Sequence, residues 1–311
     1  GTVQTSNQAI VLGDGDTPVV LTANTIISGG TAGDITLGGT VNGAATLNLN
    51  TTGTTTLNGL IGNTVPLTSV TTNASGTVVI NAAGITTTGA QTYNDAVTLG
   101  TDVTLTTTSN GNVTFGSTVN SADATARDLT LSIGTGTARF DGVVGGNYVL
   151  DVIGITGNLD LNANVLKTAD SSAGATSLSV SGTSDLGANV KTTGAQSYTG
   201  AVTLSGGDRT LTGSTITTNG AIIGGSNSLS ISGNAVFGNS TDDTITGVNE
   251  LSVSGTTTIN TNTVTTAGAQ AYTGAVTLGT DVTLTTTSNG NVTFSSTVDS
   301  ATTTARALTL S

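Results

Sequence analysis

Few residues in this chain carry side chains that do chemistry. There is no histidine, cysteine, methionine or tryptophan among the 311 residues. Ser-His-Asp and Cys-His catalytic units are therefore impossible within it, and transition-metal sites lack their usual ligands. Carboxylates remain. "GDGDTP" (Gly13–Pro18) sets Asp14 and Asp16 among glycines, and "STDDTITG" (Ser240–Gly247) sets Asp242 beside Asp243. Oxygen ligands in turns are what Ca²⁺ takes, about six to eight at a time. These four aspartates are weak calcium candidates, and no other cofactor is expected. The remaining acid–base groups, among them Arg139, Asp141, Asp151, Asp160 and Lys167, are scattered, and Glu250 is the sole glutamate. No pair sits at a spacing that forces convergence, so solvated charges on an outer face are the default reading and no enzymatic activity is expected. Tyr93, Tyr198 and Tyr272 occupy one position of a Gly-Ala-Gln-x-Tyr motif that occurs three times. Rings at one repeated position are candidates for stacking on glycans; capping of turns is the other reading.

The elements that carry these residues are short strands. "ATLNLN" (Ala45–Asn50), "LTLSIG" (Leu129–Gly134), "SLSISG" (Ser228–Gly233) and "ELSVSG" (Glu250–Gly255) alternate aliphatic with hydroxyl or amide residues. Alternation of this kind is the strand pattern, and β-branched Thr, Val and Ile favour it further. No 3.6-residue stripe is present, and 44 glycines oppose helix. Gly- and Asn-rich corners fall between the strands.

Six basic residues face eighteen acidic ones, a net charge of −12. Nucleic acid is excluded as a partner, because such binding rests on Lys and Arg neutralising phosphates. No apolar run approaches the ~18 residues of a membrane helix.

Repetition then constrains the architecture. "AVTLGTDVTLTTTSNGNVTF" is written twice, at Ala96–Phe115 and again at Ala275–Phe294. The Gly-Ala-Gln-x-Tyr copies begin at Gly89, Gly194 and Gly268. If a solenoid turn takes about 20 residues, the long copies start about nine turns apart, and the motif copies about five and about four. The expectation is an all-β, right-handed parallel β-helix (β-solenoid), one elongated rod of about 15 turns and roughly 70 Å. It is read as a single continuous body over residues 1–311, with internal modules starting near 85, 190 and 264, and as a slice of a longer chain.

"TTGAQTYNDAVTLG", "GNVTFGSTVN" and "FDGVVGG" resemble the repeats of very large filamentous-haemagglutinin-like exoproteins of Gram-negative bacteria. The resemblance runs from about Asp34 to the end. The Asn-Pro-Asn motifs of that family's secretion domain do not occur here. The resemblance implies a β-helical shaft displayed at the cell surface or secreted outside it, with roles in adhesion, aggregation or biofilm. Unpaired coils at both ends make other copies of the chain or flanking parts of the same chain the expected partners, with surface glycans a further candidate. The alternative is a carbohydrate-active or glycan-binding β-helix protein.

Overall fold

A computed structural model describes all residues from Gly1 to Ser311. It contains 36 strands and no helix, and so no helix long and apolar enough to cross a membrane. The strand ladders between successive coils are parallel, as between Val97 and Val119 or Val276 and Val298. One isolated antiparallel bridge, Leu166 with Ala173, closes a local loop. Paired residues lie about 22 positions apart, in about 14 turns. The spacing is uneven: Leu178 pairs with Gln196 across a short coil, and Val103 with Leu129 across a long one. The chain is thus a β-solenoid, with a turn slightly longer than the repeat intervals suggested. By its backbone contacts the chain groups into two compact units, 1–158 with 166–175, and 159–165 with 176–311.

In the first unit a six-stranded ladder runs through Ile10–Leu12, Ile35–Leu37, Thr54–Leu57, Thr77–Ile80, Ala96–Leu99 and Val119–Ser121. Its register stacks Ile10, Ile35, Thr55, Val78, Val97 and Val119 in one inward column. Alternation decides this. In Thr46–Thr51, Leu47 and Leu49 are buried while Asn48 and Asn50 face outward. Each fully buried aliphatic side chain contributes about 1.5–3 kcal/mol, but only when the coils above and below cover it.

Corners interrupt the backbone ladder, and a buried or crowded N–H left there must find an acceptor. Asparagine and aspartate side chains supply it from the coil below. Asn42 Oδ1 accepts from the N–H groups of Thr64 and Val65 at 2.9 and 3.1 Å. Asp34 Oδ1 accepts from Thr54 at 2.7 Å, and Asn110 Oδ1 from Thr135 at 3.1 Å. Backbones approach so closely at corners that some positions admit only glycine. Gly43 has φ +135°, and a Cβ there would lie 2.1 Å from the Leu21 carbonyl oxygen.

In the second unit Val190, Leu211, Ile231, Val253 and Tyr272 form an inward column, with Phe294 next in register. A corner here is equally tight: Gly233 has φ +142°, and a Cβ would lie 1.9 Å from Gly213 O.

One interval differs from expectation. From Gln196 the register passes through Ile216, Ala235 and Thr257 to Val276, four coils on. The third Gly-Ala-Gln-x-Tyr copy falls short of that point, and its Gln270 joins the column of Leu229 and Leu251 instead. The third motif therefore does not stack over the second. Coil length varies, so a constant count of residues per turn does not locate a column.

Candidate functional site

The three recurrent motifs build the same buried clip. Gln91, Gln196 and Gln270 are all 0% exposed. Gln91 Nε2 lies 3.1 Å from Ile85 O, 3.3 Å from Thr87 Oγ1 and 3.0 Å from Thr106 O of the next coil. Its Oε1 accepts from the Tyr93 hydroxyl at 2.9 Å. Gln196 repeats this with Val190 O, Thr192 Oγ1, Thr212 O and Tyr198. Gln270 does so with Val264 O, Thr266 Oγ1, Thr285 O and Tyr272. The threonine in turn donates to the motif glycine's carbonyl, as Thr87 does to Gly89 O at 2.6 Å. A buried polar side chain is tolerable only when its hydrogen bonds are met, and here donors and acceptors pair within one coil and its neighbour. The clip is self-contained, which is why it works in different columns.

This arrangement corrects the glycan reading of the tyrosines. Tyr93 and Tyr198 are fully buried and Tyr272 is 1% exposed, so none offers a ring to a sugar. Burial pushes all three phenols far above the usual tyrosine range, keeping them as hydrogen-bond donors. The signal was present in the sequence: Tyr93 shares its parity with Val97 and Leu99. Tyr93 instead begins an internal aromatic stack, 5.5 Å from Phe115, which is 4.9 Å from Phe140.

The calcium candidates are not brought together. Asp14 Oδ1 accepts from Thr17 N–H at 3.0 Å, and its hydrogen bonds to Thr17 lower its pKa. Asp243 Oδ2 accepts from the N–H groups of Asn239 and Ser240, both at 3.1 Å. Asp16 and Asp242 remain exposed. Carboxylates in such turns serve their own backbone, and no group of three or more acidic residues converges as a metal site. The scattered charges make local pairs, with Arg139 Nε 2.9 Å from Asp141. Asp160 stacks in register beside Asp185, whose Oδ1 accepts from the Ser205 hydroxyl at 2.5 Å.

Asp95 is a titratable group that the sequence did not single out. It stands where the other copies of the motif have Gly200 and Gly274. It is 2% exposed, with Gly76 N–H donating to its Oδ1 at 2.6 Å. Burial raises its pKa above the ordinary 3.8, against the opposing pull of the Gly76 bond. A carboxyl whose folded pKa is raised costs stability where the unfolded chain is ionised and the folded state resists it. Asp95→Asn keeps the acceptor and removes the charge. It is expected to stabilise the fold at pH 7, with the gain shrinking to nothing below pH 3.8. Urea midpoints of both proteins across that range check it; a constant difference would contradict the assignment.

One trough of about 270 Å³, with hydroxyls, charged groups and apolar side chains in its lining, lies on the outer face of the second unit. Its floor is the outward column Thr210, Ser230, Ser252 and Ala271, in register on four coils. Asp208 and Glu250 lie along one side. The repeated "SLSISG" and "ELSVSG" supply two of its coils, but only the register adds Asp208, Thr210 and Ala271 to them.

The chain matches no known family, no curated protein and no solved structure, so its assignment as a β-solenoid rests on its own geometry.

Proposed function

We propose that this chain is a non-enzymatic structural segment, the shaft of a bacterial cell-surface or extracellular fibre. The observation that carries this reading is where the recurrent residues are spent. The most strongly repeated motif, Gly-Ala-Gln-x-Tyr, is buried and serves only to tie one coil to the next. Corner asparagines and aspartates do the same from outside. A stacking device that is independent of column suits a protein that lengthens by adding coils. The repeats' resemblance to filamentous-haemagglutinin-like adhesins supports the surface location and a part in adhesion, aggregation or biofilm. Other copies of the chain, or flanking parts of it, are the partners on this reading.

Immunogold electron microscopy of the source cells, with antibodies raised against the folded chain, tests it. Label along surface or matrix filaments is the expected result; label confined to the cell interior would sink the proposal. A panel of acidic and neutral polysaccharides should release no reducing ends or unsaturated sugars on incubation with the protein, and release would overturn the non-enzymatic half.

A further inference from the structure

We infer that the trough on the second unit is a binding site for an oligosaccharide bearing free amino groups, lying along the stack of coils. The inference goes beyond the shaft reading and does not depend on it. The floor carries hydroxyls that can both donate and accept, with Ser252 Oγ 3.1 Å from Ser230 Oγ; on the side wall Ser228 Oγ accepts from Asn249 Nδ2 at 3.2 Å. Ala271 deepens the floor at the next coil.

The side wall supplies negative charge. Asp208 gives one oxygen to Ser228 N–H at 2.7 Å, which leaves the other for a ligand. Glu250, the only glutamate of the chain, is exposed and lines the trough. Its side chain lies over Gly268, where a Cβ would sit 3.1 Å from Glu250 Cγ and 3.5 Å from Oε1. The glycine leaves the room that the glutamate occupies. Neither carboxylate is in an ion pair, although Arg209 is among the residues that line the trough. Arg209, between them in sequence, is 9% exposed and turns its Nε onto Gly207 O at 3.1 Å.

A site of hydroxyls and two unpaired carboxylates, whose one cation, Arg209, is turned onto Gly207 O, favours a ligand rich in donors and positively charged. Spacing selects among such ligands. Successive floor residues are one coil apart, about 4.8 Å, a step of the size of one ring unit in a 1→4-linked pyranose chain. An extended peptide presents same-side residues about 6.6–6.8 Å apart and drifts out of step within two coils. An amino-sugar chain therefore meets one hydroxyl per ring, with ammonium groups reaching Asp208 and Glu250.

Calorimetric titration of the whole chain with a glucosamine tetramer, its fully N-acetylated counterpart and tetralysine tests the site. The free-amine tetramer should bind, with the acetylated form and tetralysine each at least about tenfold weaker. Glu250→Gln and Asp208→Asn should each weaken binding about five- to tenfold, the size of one exposed charge-assisted contact. Ser252→Tyr, which fills the floor, should abolish it while circular dichroism stays that of the parent. Absence of binding, equal binding of the acetylated tetramer or of tetralysine, or indifference to Glu250→Gln would each overturn the proposal.

Discussion

Gln91→Ala should loosen its coil by about 3–5 kcal/mol, far more than Tyr93→Phe at about 1–2 kcal/mol. The alanine removes the donor that serves Ile85 O and Thr106 O and the acceptor that serves the Tyr93 hydroxyl. It also leaves a void in an interior with no route for water, since Gln91 and Tyr93 are both 0% exposed. The phenylalanine leaves one orphan, Gln91 Oε1, and no void. Gln91→Leu separates the two costs: it restores most of the volume but none of the hydrogen bonds, and belongs between them at about 2–4 kcal/mol. A solenoid opens in pieces, so amide exchange across residues 85–93 and 103–107 reads the loss more directly than a global midpoint. The same order is expected at Gln196 and Gln270, whose contacts fall at nearly the same sequence offsets. If Tyr93→Phe proved as costly as Gln91→Ala, the clip would not be the unit described.

The duplicated stretch provides a second large effect with an internal control. Phe115→Ala should cost about 3–5 kcal/mol and Phe294→Ala about 1–2 kcal/mol, although the preceding sequences are identical. Phe115 is fully buried between two rings, Tyr93 and Phe140. Phe294 stacks on Tyr272 at 5.4 Å, has no strand paired on its other side, and is half-buried. The upstream residues behave alike in the two copies, with Val97, Leu99, Val103 and Leu105 buried and Val276, Leu278, Val282 and Leu284 buried. Val113 is buried where Val292 is half-buried. The difference thus comes from the coil that covers Phe115 and has no counterpart over Phe294 within residues 1–311, and it applies to a protein of that length. Equal losses at Phe115 and Phe294, measured by local amide exchange, would show that cover by the next coil contributes little.

Which way each side chain points was legible in the sequence. Alternation in "ATLNLN" and "AVTLGTDVTL" assigns inside and outside because successive residues of a strand face opposite ways. That rule is local, so it needs no knowledge of neighbours. It sufficed for an all-β solenoid and for the inward set from Val97 to Phe115; the same parity in "QTYNDAVTL" holds for Tyr93 and Asp95, although neither was expected to lie inward. The chemistry was legible chiefly as exclusion, since residue types that are missing cannot be supplied by folding.

Register was not legible. Coils of unequal length, short from Leu178 to Gln196 and long from Val103 to Leu129, defeat any fixed count. Gln270 accordingly lies in a different column from Gln196, and Asp208 joins the trough from a coil that lacks the "SLSISG"/"ELSVSG" pattern carrying Ser230 and Glu250. Pairing between coils is set by how long each corner runs and which column of side chains it can cover. Corner length is decided by contacts such as Gly233 against Gly213 and Asn42 reaching Thr64, between residues a full coil apart. A period of two is written in each strand, whereas the height and rotation of one coil over the next exist only once both coils are folded.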